Sequence, residues 1–256
     1  MTSFKELNFT FENEIIRIEL NTADRRNTLG SALLGELAQA LDLVKQENRA
    51  KMVILTGSGR AFSVGADIAE IDALSPPEVG EFARKGQAVI KALMGLEIPT
   101  LAAVNGLALG GGFELALACD IRWSHTRAAF GFPECKLELI PAWGGIQLLG
   151  LALSPSLQAE LLLSGDLLSA QAAYQMGLVS RIFEGKDFIA QVVEESKKFL
   201  SKERHVLKEV KRLIQGKYTF EQGLSEATSA FHKLWSHPGR KERTRDRSTE
   251  RVAHSN

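Results

Sequence analysis

Cysteine is scarce: Cys119 and Cys135 are the only two in 256 residues. That is too few for a disulfide framework, and their spacing is not that of a metal site. No HExxH or CxxC pattern is present and the five histidines are scattered, so no metal is expected. Neither sign of charge dominates. With 31 basic and 31 acidic residues the formal net charge is zero, which gives no electrostatic reason to expect nucleic acid or an anionic membrane as partner. No apolar run reaches the roughly 18 to 20 residues needed to span a bilayer. The opening residues, MTSFKELNFTFE, lack a signal-peptide core and carry acids that a transit peptide avoids. A cytoplasmic protein in a reducing compartment is the expectation.

What the chain does have is an ordinary soluble composition, 45% hydrophobic and 24% charged, enough for a sizeable core. Leu7–Phe11 and Ile15–Leu20 alternate as two strands with a turn at Asn13. After the polar loop Asp24-Arg25-Arg26-Asn27, Ser31 reads as the N-cap of an amphipathic helix. Met52–Leu55 is a buried strand, followed by a loop from Arg60 to Ile68. Pro76-Pro77 opens a helix to about Leu93, and Thr100–Val104 and Ile121–Ser124 read as strands. After Gly145 helical signals dominate, with one short strand over Leu178–Ile182 and long charged helices over 188–200, 203–214 and 220–235. This pattern implies an α/β core over residues 1–195, a helical region over 196–239 and a disordered tail over 240–256.

Chemistry points to Asn105–Asp120, NGLALGGGFELALACD. A strand, then Gly110-Gly111-Gly112, then a short apolar helix aims unpaired backbone N–H groups at whatever lies above the turn, where developing negative charge is favoured. Glu114 sits inside that apolar helix, where an unpaired carboxylate costs several kcal/mol. A second glutamate, Glu134, follows Pro133 among apolar neighbours. Each one alone reads equally well as a first-turn residue stabilised by a helix dipole. Two such carboxyls at one site are a usual means of moving protons and activating water near neutral pH.

RAFSVGADI, NGLALGGGFELALACDI, FGFPE, IPAWGG and LSAQAAYQMGLVS, in this order, resemble the enoyl-CoA hydratase/isomerase (crotonase) family from about Leu7 to Trp235. The resemblance implies a right-handed spiral of strand–strand–helix turns with a helical trimerisation region, assembled as homotrimers or homohexamers. It implies an acyl-CoA thioester as substrate, with no cofactor. It maps an oxyanion hole onto the N–H groups of Ala66 and Gly111, and two catalytic glutamates onto Glu114 and Glu134. Ala66, Asp67, Ile68, Ala69, Gly111 and Ala142 are the implied substrate-binding residues. One carboxylate then activates water for attack at C3 and the other side supplies a proton to C2. A side chain on Gly111 is expected to enter the thioester's space, whereas Gly112, one residue on, is expected to tolerate alanine.

Two positions depart from the family pattern: Glu138 and Ala142 stand where glycine is usual, and with Trp143 they bear on the acyl end of the pocket. Other classes fit less well. Phe62 occupies the third glycine position of a dinucleotide fingerprint that would begin at Gly57, and no Walker lysine follows a glycine cluster. Ser63 has no GxSxG context, and Cys135 reads as core rather than nucleophile. Retention of both glutamates favours a hydratase over a double-bond isomerase, another acyl-CoA-processing member, or a non-catalytic scaffold.

Overall fold

The computed structural model describes residues 3–237 and 240. The expected tail over 240–256 lies, but for Arg240, outside the described residues. The chain divides into two compact units with the break between Ser201 and Lys202. That break follows the end of a helix, whereas the boundary read from the sequence, 195/196, falls inside it.

The first unit contains the strands β1 (Leu7–Glu12), β2 (Ile15–Leu20), β3 (Met52–Gly57), β4 (Ala61–Ser63), β5 (Thr100–Val104), β6 (Leu107–Leu109), β7 (Ile121–His125), β8 (Ala129–Gly131), β9 (Leu167–Ser169) and β10 (Arg181–Phe183). Its helices are α1 (Ser31–Gln46), α2 (Ile68–Asp72), α3 (Pro76–Met94), α4 (Gly111–Ala118), α5 (Gly145–Ala152), α6 (Pro155–Ser164), α7 (Ala170–Gln175) and α8 (Phe188–Leu200), with a 3₁₀ turn over Pro133–Leu137. Among the described residues the strands form two sheets, ordered β1-β2-β3-β5-β7-β10 and β4-β6-β8-β9. Beyond the β1–β2 hairpin the long sheet is parallel, and β4, β6 and β8 are parallel in the short one. The chain therefore climbs in repeated turns: a strand in the long sheet, a strand in the short sheet, then helix. This is the strand–strand–helix spiral expected from the resemblance.

Burial on both faces makes the central strands read as unbroken apolar runs. In β3, Val53 and Leu55 join the main core with α1 and α3, while Met52 and Ile54 face the opposite side with Trp123, Phe188 and Val192. The β1–β2 turn places Asn13 and Glu14 at φ of 50° and 64°, the two positive values of a type I′ two-residue hairpin loop. The Ser31 cap is corrected. Gly30 is the N-cap of α1 and Ser31 is its first residue, its N–H donating to Glu70 Oε2 at 2.9 Å. A carboxylate distant in sequence thus does the capping, and it ties α2 to the start of α1. The late strand also differs, running over Arg181–Phe183 rather than from Leu178.

The second unit contains α9 (Arg204–Gln215) and α10 (Phe220–Trp235). Between them the buried Glu209 accepts from Arg212 on its own helix and from Lys233 on the other. Phe220, Phe231 and Trp235 of α10 are 79%, 67% and 56% exposed.

Glu138 ends the 3₁₀ turn with φ 58° and ψ 27°, the left-handed region that favours glycine. A Cβ there costs about 1–2 kcal/mol in conformational strain, and glycine gives part of this back as extra unfolded-state entropy. Glu138→Gly should therefore stabilise the protein by about 0.5–1 kcal/mol, read as a higher urea midpoint. A lower midpoint would contradict the account.

Candidate active site

Three segments, the loop after β4, the start of α4 and the stretch from Pro133 to Trp143, meet at one cavity of about 160 Å³, whose wall is completed by Ile71 of α2 and Val79, Phe82 and Ala83 of α3. The first is built from beneath. Asn27, fully buried with φ 56°, donates Nδ2 to Ala61 O and Phe62 O, each at 3.0 Å, and so holds β4. Ser63 is also fully buried. Its hydroxyl donates to Asn27 O at 2.7 Å and accepts from Gly65 N at 3.2 Å, a structural pair that leaves no free nucleophile. The loop then runs beside Leu29, with Leu29 N donating to Gly65 O at 2.8 Å and Asp67 N to Leu29 O at 3.4 Å. Backbone groups alternate in direction along such a bridge, so the Ala66 N–H points the other way. It has no acceptor among the described residues, and Ala66 lines the cavity.

Gly110 supplies the turn before α4 at φ 48° and ψ −123°, a conformation open to glycine. Its N–H donates to Gly131 O at 3.0 Å, and its O accepts from Glu114 N at 2.9 Å. Gly111 then opens the helix with an N–H that has no acceptor among the described residues, at the positive end of the helix dipole. At the far end of α4, Arg122 donates to Cys119 O at 2.8 Å, satisfying a carbonyl next to the last turn.

The buried Glu114, 2% exposed, is held by the backbone: its Oε1 accepts from Trp143 N at 2.8 Å and Gly145 N at 2.7 Å. Burial raises its pKa, against the opposing pull of the N–H groups of Gly145, Trp143 and Gly144. Ala142, where glycine is usual, keeps a φ that is not positive, and its carbonyl accepts from Gln87 Nε2 at 2.9 Å, which pins this segment to α3. Glu134 is half-buried, and its Oε2 is out of solvent with no hydrogen-bond partner among the described residues. Burial first, then the charge of Glu114, pushes its pKa up to about 7. Its Oε1 lies so close to Gly110 that a Cβ on that residue would fall 2.5 Å away.

The cavity thus collects Glu114, Glu134, Ala66, Gly111, Ile68 and Ala142. Asp67 and Ala69 are not among its lining residues. The Asp67 carboxylate instead accepts from Glu70 N at 3.1 Å and caps α2, and Ala69 is exposed. Cys135 is exposed, not core, because the 3₁₀ turn carries it outward. Two glycine expectations also change. A Cβ on Gly111 would lie 2.4 Å from Trp143 Cζ3, so substitution there meets the indole as well as any ligand. A Cβ on Gly112 would lie 2.4 Å from Ser63 O, so alanine is no neutral control.

Among the described residues no group of three His, Cys, Asp or Glu side chains is placed to hold a metal ion. The arrangement offers one oriented carboxylate, one carboxyl that titrates near neutrality, and two N–H groups at which negative charge on an oxygen is stabilised. Asn27 was not singled out from the sequence. An asparagine after a charged loop, suited to a left-handed φ, was the available signal.

Residues 10–252 match a family described as enoyl-CoA hydratase/isomerase. The chain is 36% identical over 192 residues to a crotonyl-CoA hydratase of Syntrophomonas wolfei, covering 75% of this chain and 74% of that protein. It is 40% identical over 171 residues to the human mitochondrial methylglutaconyl-CoA hydratase, covering 66% of this chain but only 50% of that protein. The crystal structure of an enoyl-CoA hydratase from Bacillus anthracis superimposes with a TM-score of 0.92 at 29% identity, covering 96% of this chain and 97% of that one.

The raised pKa of Glu134 carries a stability consequence. A carboxyl whose folded pKa of about 7 exceeds its unfolded value of 4.5 loses stability as pH climbs from the lower figure through the upper one. Removing the charge should help most above that window. The melting temperature of Glu134→Gln relative to wild type should therefore be higher at pH 8 than at pH 5. A difference that stays constant with pH would show that Glu134 titrates as an ordinary carboxyl.

Proposed function

The chain belongs to the enoyl-CoA hydratase/isomerase family, and on that premise we propose that it is an enoyl-CoA hydratase, adding water reversibly across the 2,3 double bond of a 2-enoyl-CoA thioester. The observation that carries this reading is that two carboxyls of different character, Glu114 and Glu134, share one cavity with the N–H groups of Ala66 and Gly111. The hydratases among its relatives support it.

In this mechanism the thioester oxygen accepts from Ala66 and Gly111. Attack on C3 drives negative charge onto that oxygen, and donors so placed are worth roughly 3–4 kcal/mol each in comparable sites. Glu114, oriented by its two backbone bonds, takes the proton of the attacking water. Glu134, its pKa pushed up to about 7, keeps a substantial protonated fraction at neutral pH and in that form delivers its proton to C2. The water oxygen ends bonded to C3 and its proton on Glu114. Proton exchange with solvent then restores both acids. A double-bond isomerase moves one proton between carbons and needs only one acid, so two acids with separate environments favour hydration.

Glu114→Gln and Glu134→Gln should each lower crotonyl-CoA hydration by roughly 10²- to 10⁴-fold. The assay is loss of the conjugated thioester's absorbance, with melting checked against wild type. Near-wild-type turnover in either variant would remove the two-acid mechanism and turn the search to isomerisation of a 3-enoyl-CoA.

The same premise extends to assembly. The exposed aromatic face of α10, Phe220, Phe231 and Trp235, is the kind of apolar patch that another subunit covers, which fits a homotrimer or homohexamer. Light scattering at micromolar concentration should give a mass of three or six chains. A monomer would refute this.

A further inference from the structure

The indole of Trp143 has no part in the proton chemistry above. Its backbone N–H holds Glu114, but its ring, 5% exposed, fills the gap between α3 and α4. On the α4 side, a Cβ on Gly111 would fall 2.4 Å from Cζ3 and 3.0 Å from Cη2. On the α3 side, a Cβ on Gly86 would fall 2.1 Å from Cε2 and 2.3 Å from Nε1. The benzo edge therefore lies on Gly111 and the pyrrole edge on Gly86, and the ring fits because neither has a side chain. Phe82, one turn before Gly86, meets it at 5.9 Å between centroids with the rings tilted by 51°. Both rings line the cavity that holds the two glutamates.

We propose that the indole of Trp143 is the end wall of the acyl cavity and restricts the protein to short 2-enoyl groups. The direction of the acyl chain rests on the hydratase reading. With the thioester oxygen at Ala66 and Gly111, C2 and C3 lie between the two carboxyls. Carbons beyond C3 then pass the Glu114 carboxylate, which is bonded to the backbone of Trp143 itself. The gap that Gly86 and Gly111 leave between α3 and α4 is the continuation of that path, and the indole occupies it. Shortening the side chain reopens the path without touching the backbone N–H that orients Glu114.

Binding separates this inference from the reaction. Butyryl-CoA and octanoyl-CoA have no conjugated double bond to hydrate, so calorimetry with the full chain reads chain-length discrimination alone. Extra buried methylenes ordinarily tighten binding several-fold each. Wild type should nonetheless bind octanoyl-CoA no tighter than butyryl-CoA. Trp143→Ala should improve octanoyl-CoA relative to butyryl-CoA by at least tenfold, and Trp143→Leu, the milder variant should alanine fail to fold, should shift the same ratio in the same direction. The kcat/KM ratio for octenoyl-CoA over crotonyl-CoA should move likewise. If wild type binds octanoyl-CoA tenfold tighter than butyryl-CoA, or if folded variants keep the wild-type ratio, the wall is overturned. An expected binding pattern with no hydration of either substrate would support the wall and count against the hydratase reading instead.

Discussion

The site depends on one buried carboxylate. Glu114 belongs to α4, while the two N–H groups it accepts belong to Trp143 and Gly145, so a single side chain fastens the start of α4 to the start of α5. An unpaired carboxylate in this setting would cost several kcal/mol. Two charge-assisted bonds offset much of that, and what remains appears as a raised pKa. Because Glu114 is anchored, it also acts on its neighbour. Its charge adds to the burial that lifts Glu134 to about 7. The two carboxyls thereby differ in character although neither is paired with a cation among the described residues.

The backbone half of the site follows from the same spiral. Each turn passes from the long sheet to the short sheet before its helix begins, so β4 and β6 lie side by side and deliver the loop after Ser63 next to the turn at Gly110. A Cβ on Gly65 would lie 3.4 Å from Gly111 N, a measure of how closely the two loops approach. Asn27 fixes this approach from below through the carbonyls of Ala61 and Phe62. Ala66 and Gly111, whose N–H groups have no acceptor among the described residues, are thereby brought to one cavity.

The long sheet and most helices were legible because their signals are long and periodic. Thr100–Val104 and the helices over 188–200 and 220–235 run as read from the sequence. The short sheet was not legible. Its strands are three residues each, too short to show alternation, and they exist only through pairing with one another. Capping by Glu70 escaped for a related reason: a carboxylate from α2 outcompetes the local serine, and local sequence does not record it. The glutamates and the glycine turn stood out because they break local rules, a carboxylate in an apolar helix and three glycines in a row. What the sequence concealed was packing. Gly111 and Gly112 look alike in it, yet one faces the indole of Trp143 and the other the backbone of Ser63.

Packing also separates the two readings open to each glutamate. A first-turn residue kept for stability should have its oxygens satisfied or in water. Glu114 half meets that standard, since two N–H groups on Oε1 account structurally for its burial. Glu134 does not. Its Oε2 is out of solvent without a partner among the described residues, its Oε1 faces a glycine that leaves it room, and burial makes its ionised form unfavourable. Glutamine, or an apolar residue of similar size, would serve the fold better at that position. A carboxyl that weakens the fold at neutral pH, set against the anchored carboxylate of Glu114, is not accounted for by the stability of the 3₁₀ turn that carries it, and this is what the proton-transfer role proposed above requires of it.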